Sequence, residues 1–114
     1  MAKPRRGEIW LINLDPVVGH EQGRTRPGIV VSDDKLNDGP SGLVTVIPIT
    51  SAPRQIPIHI HVQRGVGGLT KESWILCDQI RTISKRRLIK PYESVDGEVM
   101  KAIEENLRIV LSLS

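Results

Sequence analysis

The apolar residues of this chain change their spacing once, and that change constrains the fold more than any other feature. From residue 7 to residue 83 they come in short runs, some alternating, bounded by Pro, Gly, Asp and Asn. That is the rhythm of strands and turns. Beyond it, Val95, Val99, Ile103, Leu107, Val110 and Leu111 recur about one helical turn apart. Asp96 is placed to cap that helix, and Glu98 complements its positive end. Several short strands followed by one helix predict a mainly β fold with α, a small curled barrel with a packed C-terminal helix.

Residues 7–14 read as the first strand, ended by Asp15-Pro16, because Pro cannot continue a ladder. A loop with Gly19, Gly23 and Pro27 follows. Residues 28–32 form an apolar run that predicts a strand buried on both faces. Residues 33–42 read as a loop around Asn37-Asp38-Gly39-Pro40. Residues 43–50 are a third strand, in which Pro48 implies a bulge or an edge position. Residues 56–62 alternate, with His59 and His61 on the face opposite Ile58, Ile60 and Val62. After a turn at Gly65-Val66-Gly67-Gly68, residues 73–83 read as one long strand. No repeat or linker interrupts residues 1–114, so one domain is expected.

The 114 residues include no Phe, two Trp and one Tyr, and 39% are hydrophobic. The core is therefore built from Ile, Val and Leu, whose β-branched members favour strands. The one cysteine, Cys77, excludes an internal disulfide and a cysteine-based zinc cluster, as expected for a cytoplasmic protein. The basic start has no apolar run of signal-peptide length before Glu8, and no run approaches the ~20 residues of a membrane span. The net charge of +3 is clustered in Lys3-Arg5-Arg6, Arg24-Arg26 and Arg81-Lys85-Arg86-Arg87-Lys90. Such clusters suit a polyanion partner, or they form a solvated basic face.

Three stretches, in order and at matching spacing, resemble the MazF/PemK/Kid toxin family. The first is Gly7-Glu8-Ile9-Trp10 with Asp15-Pro16-Val17-Val18-Gly19-His20-Glu21-Gln22-Gly23-Arg24-Thr25-Arg26-Pro27-Gly28-Ile29-Val30-Val31. The second is Val46-Ile47-Pro48-Ile49-Thr50-Ser51, and the third Asp78-Gln79-Ile80-Arg81-Thr82-Ile83. The resemblance implies an SH3-like barrel of the CcdB/MazF type, a homodimer and a co-encoded acidic, MazE-like antitoxin whose tail occupies the RNA groove. It implies an endoribonuclease cutting single-stranded RNA, with Arg26 and Thr50 as the functional pair and Glu21 as the loop carboxylate. His20 departs from the Ser usual there, and the loop of residues 33–42 has no aromatic residue.

RNA carries its own nucleophile, the 2′-OH. A nuclease using it must align that oxygen with the leaving 5′-oxygen, move protons and stabilise a charged phosphorane. Neither metal nor cofactor is required. Arg26 suits the phosphorane, because its planar fork donates two hydrogen bonds and stays protonated at any accessible pH. Thr50 offers one short hydroxyl, with Ser51 beside it. Glu21 would accept the 2′-OH proton or orient Arg26. His20, Arg24, Arg81, Lys85, Arg86 and Arg87 are candidates to hold RNA phosphates, and Arg54 and Gln55, with Asn37, Asp38 and a stacking Trp74, to read bases. His59 and His61 could bind a metal or serve as acid and base, but no third ligand lies nearby in sequence, so solvent-facing structural roles are favoured. Cys77 reads as a buried, inert thiol. The rival readings are a non-catalytic CcdB-like gyrase poison and a plain RNA-binding module; neither needs the Arg26–Thr50 pair.

Overall fold

The structure is a computed structural model that describes residues 2–53 and 55–114. Its elements are β1 (Glu8–Asn13), β2 (Thr25–Val30), α1 (Asp34–Asn37), β3 (Leu43–Thr50), β4 (Ile60–Val62), β5 (Ser73–Ile75), β6 (Arg81–Ser84), β7 (Leu88–Ser94) and α2 (Gly97–Val110), with 3-10 turns at Val66–Gly68, Cys77–Gln79 and Lys85–Arg87. The strand pairs are antiparallel, in the order β4-β5-β3-β2-β1-β7, and β6 also pairs with β3.

The pleat sorts the apolar side chains into two cores. On one face of β1, β2 and β3 stand Trp10, Ile12, Leu14, Val30, Val44 and Val46, joined by Ile83 and Leu88. The Lys85–Arg87 turn links β6 directly to β7, the two outer strands of the series β6-β3-β2-β1-β7, so these five curl into a small barrel around that core. On the other face stand Ile9, Ile29, Val31, Ile47 and Ile49. They are covered by Val62, Leu69, Ile75 and Cys77, and by Ile103, Val99, Met100 and Leu107 of α2. Alternate residues of one strand thus serve both cores, which is why residues 28–32 read as continuously apolar. Ile12 packs directly onto the backbone of Gly28: a Cβ there would lie 2.6 Å from Ile12 Cδ1, which would have to shift. α2 begins as expected, with the Asp96 carboxylate accepting from Val99 N–H at 3.0 Å.

The structure departs from the sequence-based expectation at five places. Residues 73–83 are not one strand. β5 pairs with Ile49 and Thr50 of β3, β6 with residues 43–46, and the register slips by three residues across the Cys77–Gln79 turn. The cause lies opposite, in Pro48: its carbonyl faces this edge and accepts from Leu76 N–H at 3.0 Å, but it has no N–H to continue the ladder. Residues 56–62 give only the three-residue β4, because Pro57 has no donor and His59 N–H closes a turn onto Ile56 O. β2 starts at Thr25, which puts Arg26 and Pro27 inside the strand. Residues 33–42 contain α1, capped by the Asp33 carboxylate on Lys35 N–H at 2.8 Å. β7 was not expected; it is a largely exposed terminal strand containing Pro91.

Two side chains proposed as base readers are used internally. Asn37 is buried, accepts from Ser32 Oγ–H at 2.5 Å and donates to Ser32 O and Asp34 Oδ1 at 3.0 Å. Asp38 pairs with Arg5 at 2.6 Å. No helix among the described residues is long and apolar enough to cross a membrane.

Candidate active site

Two strand ends build the site. The β2–β3 register pairs Gly28 with Pro48; extended by two residues, it sets Arg26 opposite Thr50. Both line one open hollow of about 200 Å³, with Ser51, Thr25, Pro27, Ile49, Leu69, Thr70, Lys71, Ser73 and Tyr92. Thr50 is buried, and its hydroxyl accepts from Ala52 N–H at 3.1 Å, so the hydroxyl proton remains available to another acceptor. Arg26 is half-buried, and its Nε–H is buried without a hydrogen-bond partner among the described residues. An unsatisfied buried donor costs about 1–3 kcal/mol, and such a group calls for an explanation.

The loop between β1 and β2 is stiffened by its own polar groups. Arg24 is exposed with a left-handed backbone, φ 64°, and its N–H donates to Asp15 Oδ1 at 2.7 Å. His20 and Glu21 are exposed, and Glu21 Oε1 accepts from Val18 N–H at 2.6 Å. Glu21 does not line the Arg26–Thr50 hollow. It lines a second one of about 200 Å³ with Gln22, Asp78, Gln79, Ile80 and Arg81.

The Cys77–Gln79 turn ties two loops to the barrel. Gln79 Oε1 accepts from Gln22 N–H at 2.7 Å, which holds the β1–β2 loop. Asp78 Oδ1 lies 2.6 Å from His59 Nε2, which holds the segment leaving Thr50 and Ser51. The His59 side chain is only 3% exposed, contrary to its expected solvent-facing position. His61 does face solvent, against Glu72 at 3.1 Å. Burial pushes the Cys77 thiol up to about 11, so it stays protonated near neutrality.

The basic cluster of residues 81–90 splits into different tasks. Arg81 donates to Leu14 O at 3.2 Å; Arg87 donates to Asn13 O at 3.2 Å and also to Asp15 O. Both fasten the end of β1. Lys85 and Arg86 line a third hollow with Leu43 and Leu88, at the opposite end of β3 from Thr50. An eight-residue strand separates the two ends by roughly 24 Å. Gln55 is exposed and lines none of these three hollows, and Arg54 lies outside the described residues. Lys71 and Tyr92, which line the Arg26–Thr50 hollow, were missed from sequence. Tyr92 is the only tyrosine, but Lys71 has no distinguishing local pattern.

Fold and site together define a small β-barrel protein with an arginine–threonine pair at one barrel end. Residues 5–111 match the family model described as the PemK-like, MazF-like toxin of type II toxin-antitoxin systems, and the chain belongs to that family. It is 36% identical to endoribonuclease EndoA of Bacillus subtilis over 110 residues, covering 96% of this chain and 95% of that protein. It is 34% identical to endoribonuclease MazF9 of Mycobacterium tuberculosis, covering 96% and 97%. The crystal structure of MazF from Deinococcus radiodurans superposes with a TM-score of 0.87 at 26% identity, covering 98% of this chain and 99% of that one. A MazE–MazF complex from the same organism superposes with a TM-score of 0.80 at 26% identity, covering both chains fully.

Proposed function

We propose that this protein is a cytoplasmic, sequence-selective endoribonuclease toxin. It cleaves single-stranded RNA without a metal, leaves 2′,3′-cyclic phosphate and 5′-OH ends, and arrests translation and growth. The observation that carries the chemistry is that Arg26, whose Nε–H has no partner among the described residues, lines one hollow with Thr50. EndoA and MazF9 are both named endoribonucleases, which favours catalysis over the gyrase-poison and plain RNA-binding readings.

In this reading the scissile phosphate enters the hollow. Arg26 donates to a non-bridging oxygen and stabilises the phosphorane as charge builds, a contact stronger in the transition state than in the ground state. Thr50, its lone pair already engaged by Ala52 N–H, donates its proton to a second phosphate oxygen. The substrate's 2′-oxygen attacks phosphorus as the P–O5′ bond breaks; the 2′-OH loses its proton and the 5′-oxygen gains one. Glu21 either takes the 2′-OH proton or supports the loop beside Arg26. The pH profile of Glu21→Gln decides: loss of the low-pH limb, where a general base becomes protonated, assigns the proton to Glu21. Ser51 lines the hollow, His20 and Arg24 on the β1–β2 loop hold neighbouring phosphates, and Arg81, Lys85, Arg86, Arg87, Arg54 and Gln55 remain candidates for the more distant strand. A symmetric homodimer and an acidic, MazE-like antitoxin complete the proposal. The solved MazE–MazF complex of similar fold supports the antitoxin, and light scattering at micromolar concentration tests the dimer.

The test is an RNA oligonucleotide carrying 2′-deoxy at the one cleaved nucleotide. It is expected to bind, to resist cleavage and to compete with intact RNA, and EDTA is expected to change nothing. Cleavage of the 2′-deoxy bond would make water the nucleophile and remove the roles given to Glu21, Arg26 and Thr50.

A further inference from the structure

Trp74 is the direct ladder partner of Thr50, and His61 is the direct partner of Trp74. Residues opposite one another in an antiparallel ladder project from the same face, with Cβ atoms about 5 Å apart. His61, Trp74 and Thr50 therefore form one row across β4, β5 and β3, and the extended β2 register adds Arg26 to its end. The neighbouring row of Ile60, Ile75 and Ile49 lies on the opposite face, against the core.

The two rings are stacked, with centroids 5.0 Å apart and planes at 26°. Trp74 is only half-buried, and the His61 side chain is 44% exposed. Glu72 Oε2 lies 3.1 Å from His61 Nε2. By contrast, Trp10 is 6% exposed and belongs to the barrel core. Trp74 is thus a large aromatic surface kept partly wet, backed by a second ring and placed one ladder position from the proposed catalytic hydroxyl. The segment leading into β5 also supplies Lys71 and Ser73 to the Arg26–Thr50 hollow.

We propose that Trp74, held by His61, is a stacking platform for the RNA base next to the scissile phosphate. The inference rests on the ribonuclease reading above. Every base has a π face, so this contact adds binding and fixes the strand's path, while sequence choice comes from hydrogen bonds elsewhere. Trp74 is a positioning residue: it aligns the nucleotide and takes no part in proton transfer.

The experiment uses the uncleavable 2′-deoxy oligonucleotide and a set of its abasic derivatives, one for each nucleotide flanking the scissile bond. Because Trp10 is buried, quenching of intrinsic fluorescence on RNA addition is expected to report Trp74. Trp74→Leu is expected to weaken binding about 5- to 150-fold and to abolish the quench, and Trp74→Phe to retain most of the binding. At one flanking position, the abasic RNA should bind wild type about as weakly as intact RNA binds Trp74→Leu, with no further loss when the two changes are combined. Losses that multiply at every position, or a Trp74→Leu protein that binds normally, would overturn the platform while leaving the ribonuclease reading standing. Failure of wild type to bind or cut any RNA would overturn both.

Discussion

Two sets of arginines look alike in the sequence and differ in the fold. Arg5 and Arg6 pair with Asp34, Asp38 and Glu104, and Arg6 also holds Val31 O. Arg81 and Arg87 hold carbonyls at the end of β1. Arg26 keeps a buried Nε–H without a partner among the described residues. Both sets are positive, and both lie in clusters that suggest a polyanion. The difference teaches that charge by itself does not mark a binding group; what separates the two sets is whether the donors are already satisfied within the fold.

The largest expected effect is at Arg26. Arg26→Ala is expected to lower kcat/KM at least 100-fold, or ~3 kcal/mol, with Tm unchanged. Arg26→Lys is expected to remain poor, because a point charge cannot replace the planar fork. Full activity in folded Arg26→Ala protein would erase the contrast between the two sets.

A smaller effect is expected at the turn that ties down the loop. Gln79→Leu leaves Gln22 N–H without its acceptor, so cleavage should fall about 2- to 10-fold, the worth of one ordinary hydrogen bond. Gln79→Glu, which keeps an acceptor, should restore it. Equal rates for both variants would mean that the loop's position is set elsewhere.

Arg6→Ala sharpens the comparison from the other side. Its partner contacts are part-exposed, so about 1 kcal/mol of stability is expected to go, which is a drop of several degrees in Tm, while kcat stays within about twofold of wild type. A loss of cleavage without a loss of Tm would move Arg6 into the RNA-binding set.

The smallest effect concerns the thiol. The folded pKa of Cys77 is raised from 9.0 to about 11, so the unfolded chain ionises first. The stabilisation is fully present below pH 9 and declines as pH rises towards 11. Denaturant midpoints of wild type and Cys77→Ser should therefore converge over that window. Iodoacetamide at pH 8 should label the folded protein slowly and the unfolded protein fast.

The sequence by itself determined whatever a local period can carry. α2 and its Asp96 cap were legible because the spacing and the capping carboxylate lie within one helical turn. β3 was legible over its full length, and the double burial of β2 showed in its unbroken apolar run. Arg26 and Thr50 were singled out through the family resemblance, since neither has a local pattern that marks it. The tertiary structure decided what depends on a distant neighbour. The break at Cys77–Gln79 was hidden because Leu76 and Cys77 continue the apolar run, while its cause, the missing N–H of Pro48, sits on another strand. β7 was hidden because it is polar and contains Pro91, and it is held by pairing with β1. His59 looked like a surface residue until Asp78, nineteen positions away, took its Nε2. The same holds for the arginines: a side chain's charge is written in its own codon, but whether that charge is already satisfied is decided by a partner that only the folded chain brings near.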